Sequence, residues 1–265
     1  MTTKEDIAAG SPAPQRSPYP QGKTHLFFIA IDDYRNGISK LYNAVSDAKA
    51  ISDCLIENYQ VNREDLVMLI NEKATKKEIC HQLDRYTEEI TDEDNLIFLF
   101  SGHGYFHKNT KEGYWLTADS VKGEYTSFLN NGTITRYIRN IPARHIFGIV
   151  DACFSEALFQ TQKSSDRLDH RYSIRSRWLL TAGRLEPVSD GAIGEQSPFA
   201  KSLLEELSHL ESSHLWVSEL CSRVTKGTIY NARHQTPRGE PLHDVDHLGG
   251  DFVFLRRGEE LTAVV

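Results

Sequence analysis

Two short polar turns interrupt otherwise apolar segments of this chain, and each carries a residue type suited to covalent chemistry. His103 lies three residues beyond the run LIFLF (96–100), within SGHGY, and Cys153 lies three beyond HIFGIV (145–150), within DACFSE. A thiolate attacks carbonyl carbon, and an imidazole within reach takes the thiol proton and returns it to a leaving amine. The small residues around them leave backbone N–H groups unobstructed, so the Gly104 and Cys153 amides are the candidate donors to a tetrahedral oxyanion. Taken singly, each residue has an ordinary reading: the cysteine as a small core hydrophobe, the histidine as a hydrogen-bonded polar group. The pair gains weight because both stand at equivalent positions after a strand.

That chemistry requires both turns to share one edge of a sheet, and the periodicities supply such a sheet. HLFFIAI (25–31) reads as a strand and AVSDAKAISDCLIEN (44–58) as a helix, with Ala44, Ala48, Ile51 and Leu55 on one face. LVMLI (66–70) is a second strand, followed by a helix with Thr75 and Glu78 as a capping box and Ile79, Leu83, Tyr86 and Ile90 as its apolar stripe. After 96–100 comes a longer crossover containing GYWLTADS (113–120) and a short helix, ITRYIRNI (134–141). The strand 145–150 follows, and RWLLTAG (177–183) offers a fifth. Ser197 and Pro198 open a further helix, as N-cap oxygen and first-turn proline, with Phe199, Leu203 and Leu207 on one side. Another helix is expected from Trp216 to Lys226 with Gly227 as C-cap, and DFVFL (251–255) reads as a last strand.

Strands apolar on both faces, separated by amphipathic helices, predict an α/β fold: a three-layer α/β/α sandwich with a mostly parallel sheet. In such sheets functional groups gather at the carboxyl ends of the strands, and strands consecutive in sequence tend to be neighbours. His103 and Cys153 are therefore expected side by side. The domain is expected over 23–256, after a proline-rich disordered leader (1–22) and before a short tail (257–265).

Composition narrows the function. A formal net charge of −7 argues against a nucleic-acid partner, which would require a basic face, and favours a basic ligand. The N-terminal residues MTTKEDIAAGSPAPQ place charges and prolines where a signal peptide is apolar, and no run is long enough to span a bilayer, so a cytoplasmic protein without a membrane partner is expected. The four cysteines form no CxxC pair. His103 and His107 have HxxxH spacing but lack the glutamate of a metalloprotease motif, and neither GxGxxG nor GxxxxGK[ST] occurs, so no metal and no cofactor are expected.

With these motifs the chain resembles the caspase-like cysteine peptidases, the metacaspase and bacterial orthocaspase branch in particular. The resemblance rests on SGHGY and DACFSE, on LFFIAIDDY, NAVSDAKAISDCL, YWLTAD and LLTAGRLEPVSDG, and on the late QTPRGEPL, over about residues 23 to 256. The 50-residue separation of His103 and Cys153 matches the spacing characteristic of caspases. The resemblance implies a caspase-haemoglobinase-like fold and a His103–Cys153 dyad without a third residue. It also implies a substrate pocket from Asp47, Ser101 and Asp151, the last standing where Asp-directed caspases have glutamine. Two carboxylates would favour Arg or Lys before the cut bond.

The resemblance further divides the domain into a large-subunit-like part (23–159), a polar linker (160–177) and a small-subunit-like part (178–256). Lys163, Arg167, Arg171, Arg175 and Arg177 in that linker are the candidate self-cleavage sites. Bacterial relatives of this kind are often stress or antiphage effectors switched on by a sensor or partner protein, a role the resemblance implies as an expectation here. Cys153-Phe154-Ser155-Glu156 departs from the His and Ser-Gly that follow the nucleophile in many metacaspases. Calcium ligands of those enzymes have no match, so a calcium requirement is not carried over. The contrasting reading is a caspase-like scaffold that has lost catalysis, which possession of both dyad residues and of Gly102 and Gly104 disfavours.

Overall fold

The computed structural model describes residues 22–153, 172–183, 189–209, 212–232 and 235–259. Five strands form a parallel sheet: β1 (Thr24–Ala30), β2 (Leu66–Ile70), β3 (Asn95–Ser101), β7 (His145–Asp151) and β8 (Ser176–Thr181). A sixth, β10 (Arg238–Pro241), is added antiparallel at one edge, giving the order β10-β8-β7-β3-β1-β2.

Strand alternation divides the core into two layers. Leu26, Phe28, Ile97, Leu99, Phe147 and Ile149 face one layer. This is covered by α1 (Ala44–Asn58), α4 (Pro198–Ser208) and α5 (Val217–Asn231). Phe27, Ile29, Leu96, Phe98, Phe100, Ile146 and Val150 face the other. There they meet α2 (Lys76–Glu89) and α3 (Asn131–Asn140). Residue 148 must be glycine: a β-carbon there would lie 2.2 Å from the Phe98 ring and 2.7 Å from Leu179. The expected three-layer α/β/α architecture is thus the observed one.

Local signals set the helix ends. Thr75 Oγ1 accepts the Glu78 N–H and Ser197 Oγ accepts that of Ala200, with Pro198 at the first helical position. Gly227 does not end its helix: α5 runs on to Asn231, and the missing β-carbon gives α5 close access to Ser202, 3.3 Å from where a Cβ would stand.

Two smaller sheets add to the pattern. The crossover after β3 forms an antiparallel sheet of β4 (Gly104–His107), β5 (Glu112–Trp115) and β6 (Leu129–Asn130). Trp115 anchors it by stacking on Phe100 at 4.3 Å. The DFVFL segment contributes β11 (Val253–Leu255), which pairs with β9 (His214–Trp216) rather than with the main sheet. The tail begins later than residue 257, because Arg257 donates to the Ile56 and Val61 carbonyls at the end of α1. Among the described residues no helix is long and apolar enough to cross a membrane.

Candidate active site

The strands β1, β3 and β7 end flush. Ala30 pairs with Ser101, and Ser101 with Asp151, so the residues that follow leave the same edge of the sheet side by side. The Gly102 N–H donates to the Asp151 carbonyl (3.2 Å), tying the histidine turn to the cysteine turn one residue past this last rung. Gly104 then packs against Cys153 itself: a β-carbon at 104 would lie 1.9 Å from the Cys153 carbonyl oxygen. No side chain is compatible with that approach.

Leu116 N–H donates to His103 O (2.9 Å), which makes the neighbouring Gly104–Trp115 rung the open one of the antiparallel ladder. The Gly104 amide consequently points away from β5. Gly102, by contrast, has its amide already bonded to Asp151.

His103 is held by the loop between β1 and α1. Its Nε2 lies 2.9 Å from the Ser39 carbonyl and 3.4 Å from Ser39 Oγ. A carbonyl only accepts, so Nε2 carries the hydrogen, and in the neutral ring the basic lone pair is on Nδ1. Burial pulls the His103 pKa below the ordinary imidazole value, opposed by the Ser39 bond and the negative charge of Asp190. The neutral form is thereby favoured.

The three pocket residues predicted from sequence converge on one face. Ser101 and Asp151 share the alternation of Leu99 and Ile149, which face α1 and α4. Asp47 is on α1 and only 2% exposed. Ser197 links the carboxylates: its N–H donates to Asp47 Oδ2 (3.0 Å), and its hydroxyl donates to Asp151 Oδ2 (2.8 Å). Burial, with the charge of the other acids added, pushes Asp151 up to about 7; burial likewise raises Asp47 to about 6, with Asp190 and Asp32 adding their repulsion. Asp47 Oδ1 and Asp32 Oδ1 are buried with no hydrogen-bond partner among the described residues. Such oxygens favour a cationic donor.

Asn43, fully buried, sets the loop that carries Ser197. Its Nδ2 donates to the Asp190 and Ala192 carbonyls (2.6 and 2.9 Å), and its Oδ1 accepts from Gly194 N–H (3.1 Å). Neither Asn43 nor Ser39 carried a mark in the sequence: one acts through backbone acceptors, the other through its own carbonyl. Ser197 did carry one, but its capping role alone accounted for it.

Two of the self-cleavage candidates need correction. Arg177 is inside β8, fully buried, donating to the Ile138, Ile141, Arg144 and Ser176 carbonyls. It caps the end of α3 and is closed to a protease in the folded protein. Arg175 is pinned to Asp246 (2.5 Å) just before that strand. The linker therefore ends before 175. Lys163, Arg167 and Arg171 lie outside the described residues, as do residues 1–21 of the expected leader 1–22.

The likeness to known proteins is one of family and fold. The family model described as the caspase domain of peptidase C14 matches residues 24–240. Metacaspase-1 of Arabidopsis thaliana is 24% identical over 240 residues, covering 83% of this chain and 65% of the relative. Metacaspase-1 of Pyricularia oryzae is 30% identical over 108 residues, covering 38% of this chain and 27% of the relative. The chain thus spans less than two thirds of the length of either relative. Among solved structures, protein GSU0716 of Geobacter sulfurreducens superposes with a TM-score of 0.60 at 14% identity, covering 83% of this chain and 93% of that one, a likeness of fold.

Proposed function

Because the chain belongs to the caspase-domain family of peptidases, we propose that it is a cysteine endopeptidase cutting protein substrates after Arg or Lys. The observation carrying this reading is the Asp47–Ser197–Asp151 arrangement, whose second carboxylate is two residues before Cys153.

A guanidinium or ammonium entering beside these acids would supply the donor that Asp47 Oδ1 lacks and draw both carboxyls into the ionised form. With the basic side chain seated there, the following carbonyl is placed for attack by Cys153 Sγ, while His103 Nδ1 takes the thiol proton. The oxyanion is received by the Gly104 and Cys153 amides. When the carbon–nitrogen bond breaks, His103 returns the proton to the leaving amine. Water then attacks the thioester, His103 takes a proton from it, and collapse of the intermediate releases the acid and Cys153.

The same reading includes self-processing at Lys163, Arg167 or Arg171, a cytoplasmic location, and control by a sensor or partner protein in a stress or antiphage response. Hydrolysis of fluorogenic peptides ending in Arg, Lys, Asp or Leu, by wild type and Cys153→Ala, tests the core of it. Cleavage after Arg or Lys that vanishes in the variant is expected. Cleavage only after Asp contradicts the pocket, and cleavage undiminished in the variant contradicts the nucleophile.

A further inference from the structure

Both backbone groups of His103 are engaged, and one partner is a side chain remote in sequence. The His103 N–H donates to Tyr34 Oη (2.9 Å), and that hydroxyl donates in turn to the Leu116 carbonyl (2.9 Å). Leu116 N–H closes the circuit by donating to His103 O (2.9 Å). The Tyr34 ring also packs on the imidazole, with centroids 4.9 Å apart and planes at 45°. Tyr34 is 2% exposed, so its hydroxyl is shielded from bulk solvent.

Gly102 completes the fit. A β-carbon at 102 would lie 2.5 Å from Tyr34 Oη, so the space for the hydroxyl exists because residue 102 is glycine. The Gly102 amide is bonded to Asp151, as described above, so the position cannot drift away from the tyrosine without disturbing the cysteine turn.

We propose that Tyr34 is a positioning residue for His103: its hydroxyl fixes the histidine backbone and its ring sets the imidazole plane, in a space that Gly102 keeps open. This rests on the cysteine-peptidase reading. At the site Tyr34 contacts the His103 amide and ring and the Leu116 carbonyl, so its effect is exerted through His103. A rotation of the imidazole would misalign Nδ1 while leaving the acidic pocket intact, so the effect belongs in kcat rather than KM.

The test uses the full chain as wild type, Tyr34→Phe, Gly102→Ala, the double variant and His103→Ala. Two rates are read: hydrolysis of an arginyl fluorogenic peptide, and alkylation of Cys153 by iodoacetamide, a neutral reagent that does not use the acidic pocket. Tyr34→Phe is expected to lower kcat about 10- to 100-fold with KM within about twofold, and to slow alkylation toward the His103→Ala rate. Gly102→Ala is expected to do the same, and the double variant to recover part of the loss, since removing the hydroxyl relieves the clash. Wild-type kcat in Tyr34→Phe, a rise confined to KM, or strictly additive losses in the double variant would overturn the proposal. If no peptide is cleaved but alkylation depends on His103, the specificity reading fails and the alkylation rates still judge Tyr34. Equal alkylation in wild type, His103→Ala and Tyr34→Phe overturns the proposal outright.

Discussion

The backbone of Gly104 abuts the carbonyl of Cys153 so closely that a β-carbon at 104 would stand 1.9 Å from that oxygen. Two turns fifty residues apart in sequence thus meet with no room for a side chain. Gly104→Ala must displace the cysteine carbonyl, the histidine turn or both. It is expected to reduce kcat at least about 100-fold and to destabilise the fold by about 1–3 kcal/mol as an overpacked contact. Kinetics and urea unfolding of the variant check this; unchanged kcat would remove the 104 amide from the oxyanion site.

Ser197 serves two ends. As N-cap of α4 its hydroxyl accepts from Ala200, and as pocket bridge it donates to Asp151. Ser197→Ala is expected to cost about 1 kcal/mol through the lost cap, and to raise KM for arginyl substrates several-fold while leaving Cys153 alkylation unchanged. Ser197→Gly would keep the helix start to within a few tenths of a kcal/mol and still lack the donor. Stability recovered without KM would separate the two roles in a single pair of variants.

Asp47 and Asp151 dictate an unusual pH dependence of stability. Both folded-state values are raised above the unfolded value of about 3.9. Each therefore adds stability that is complete below about pH 4 and is lost as pH rises through about 6 for Asp47 and about 7 for Asp151. The unliganded protein should lose part of its stability between pH 4 and 7, and Asp47→Asn or Asp151→Asn should flatten that slope. A guanidinium probe such as agmatine should stabilise wild type more at pH 8 than at pH 5.5, because it needs the ionised acids. Thermal melts across the pH range provide the measurement.

His103 is expected to titrate below 6.5, the ordinary imidazole value, since burial opposes its charged form. NMR titration of its ring protons in Cys153→Ala reads this without the thiol. A value above 6.5 would mean that an acid nearby dominates over burial.

Arg177 carries a structural load at the opposite end of the sheet. Its guanidinium satisfies four carbonyls around the end of α3 and the start of β8. Arg177→Met is expected to leave them unpaired and to destabilise by about 2–4 kcal/mol, read by denaturant unfolding, with KM for arginyl peptides unaltered.

Much of the sheet was legible because its central strands are continuous apolar runs, a signal that helix-covered parallel strands produce on their own. The adjacency of β3 and β7 followed from chain order, and with it the meeting of His103 and Cys153 turns. What escaped had weak or misleading local chemistry. β10 reads RGEP, a glycine and a proline in four residues, tolerated because it is an edge strand. Gly227 resembles a helix stop, but its value is contact with α4. Arg177 looked like an exposed linker cation because a buried arginine served by carbonyls has the same letter as a solvated one. In the site, His103 and Cys153 were visible as residue types at matching positions after a strand, and Asp47 and Asp151 only through the family resemblance. The Ser39 carbonyl, Tyr34 hydroxyl and Asn43 side chain were not, since each acts through long-range backbone geometry that leaves no periodic trace.

On the function proposed above, one edge of this sheet holds a thiol nucleophile beside a pocket for a basic side chain. Covalent labelling by an arginyl chloromethyl ketone, located by peptide mass spectrometry, tests both halves at once. Modification of Cys153 is expected, slowed about tenfold or more when Asp151 is replaced by Asn and abolished when Cys153 is replaced by Ala. Labelling of another cysteine, or labelling of Cys153 at equal rates by arginyl and aspartyl reagents, would contradict it.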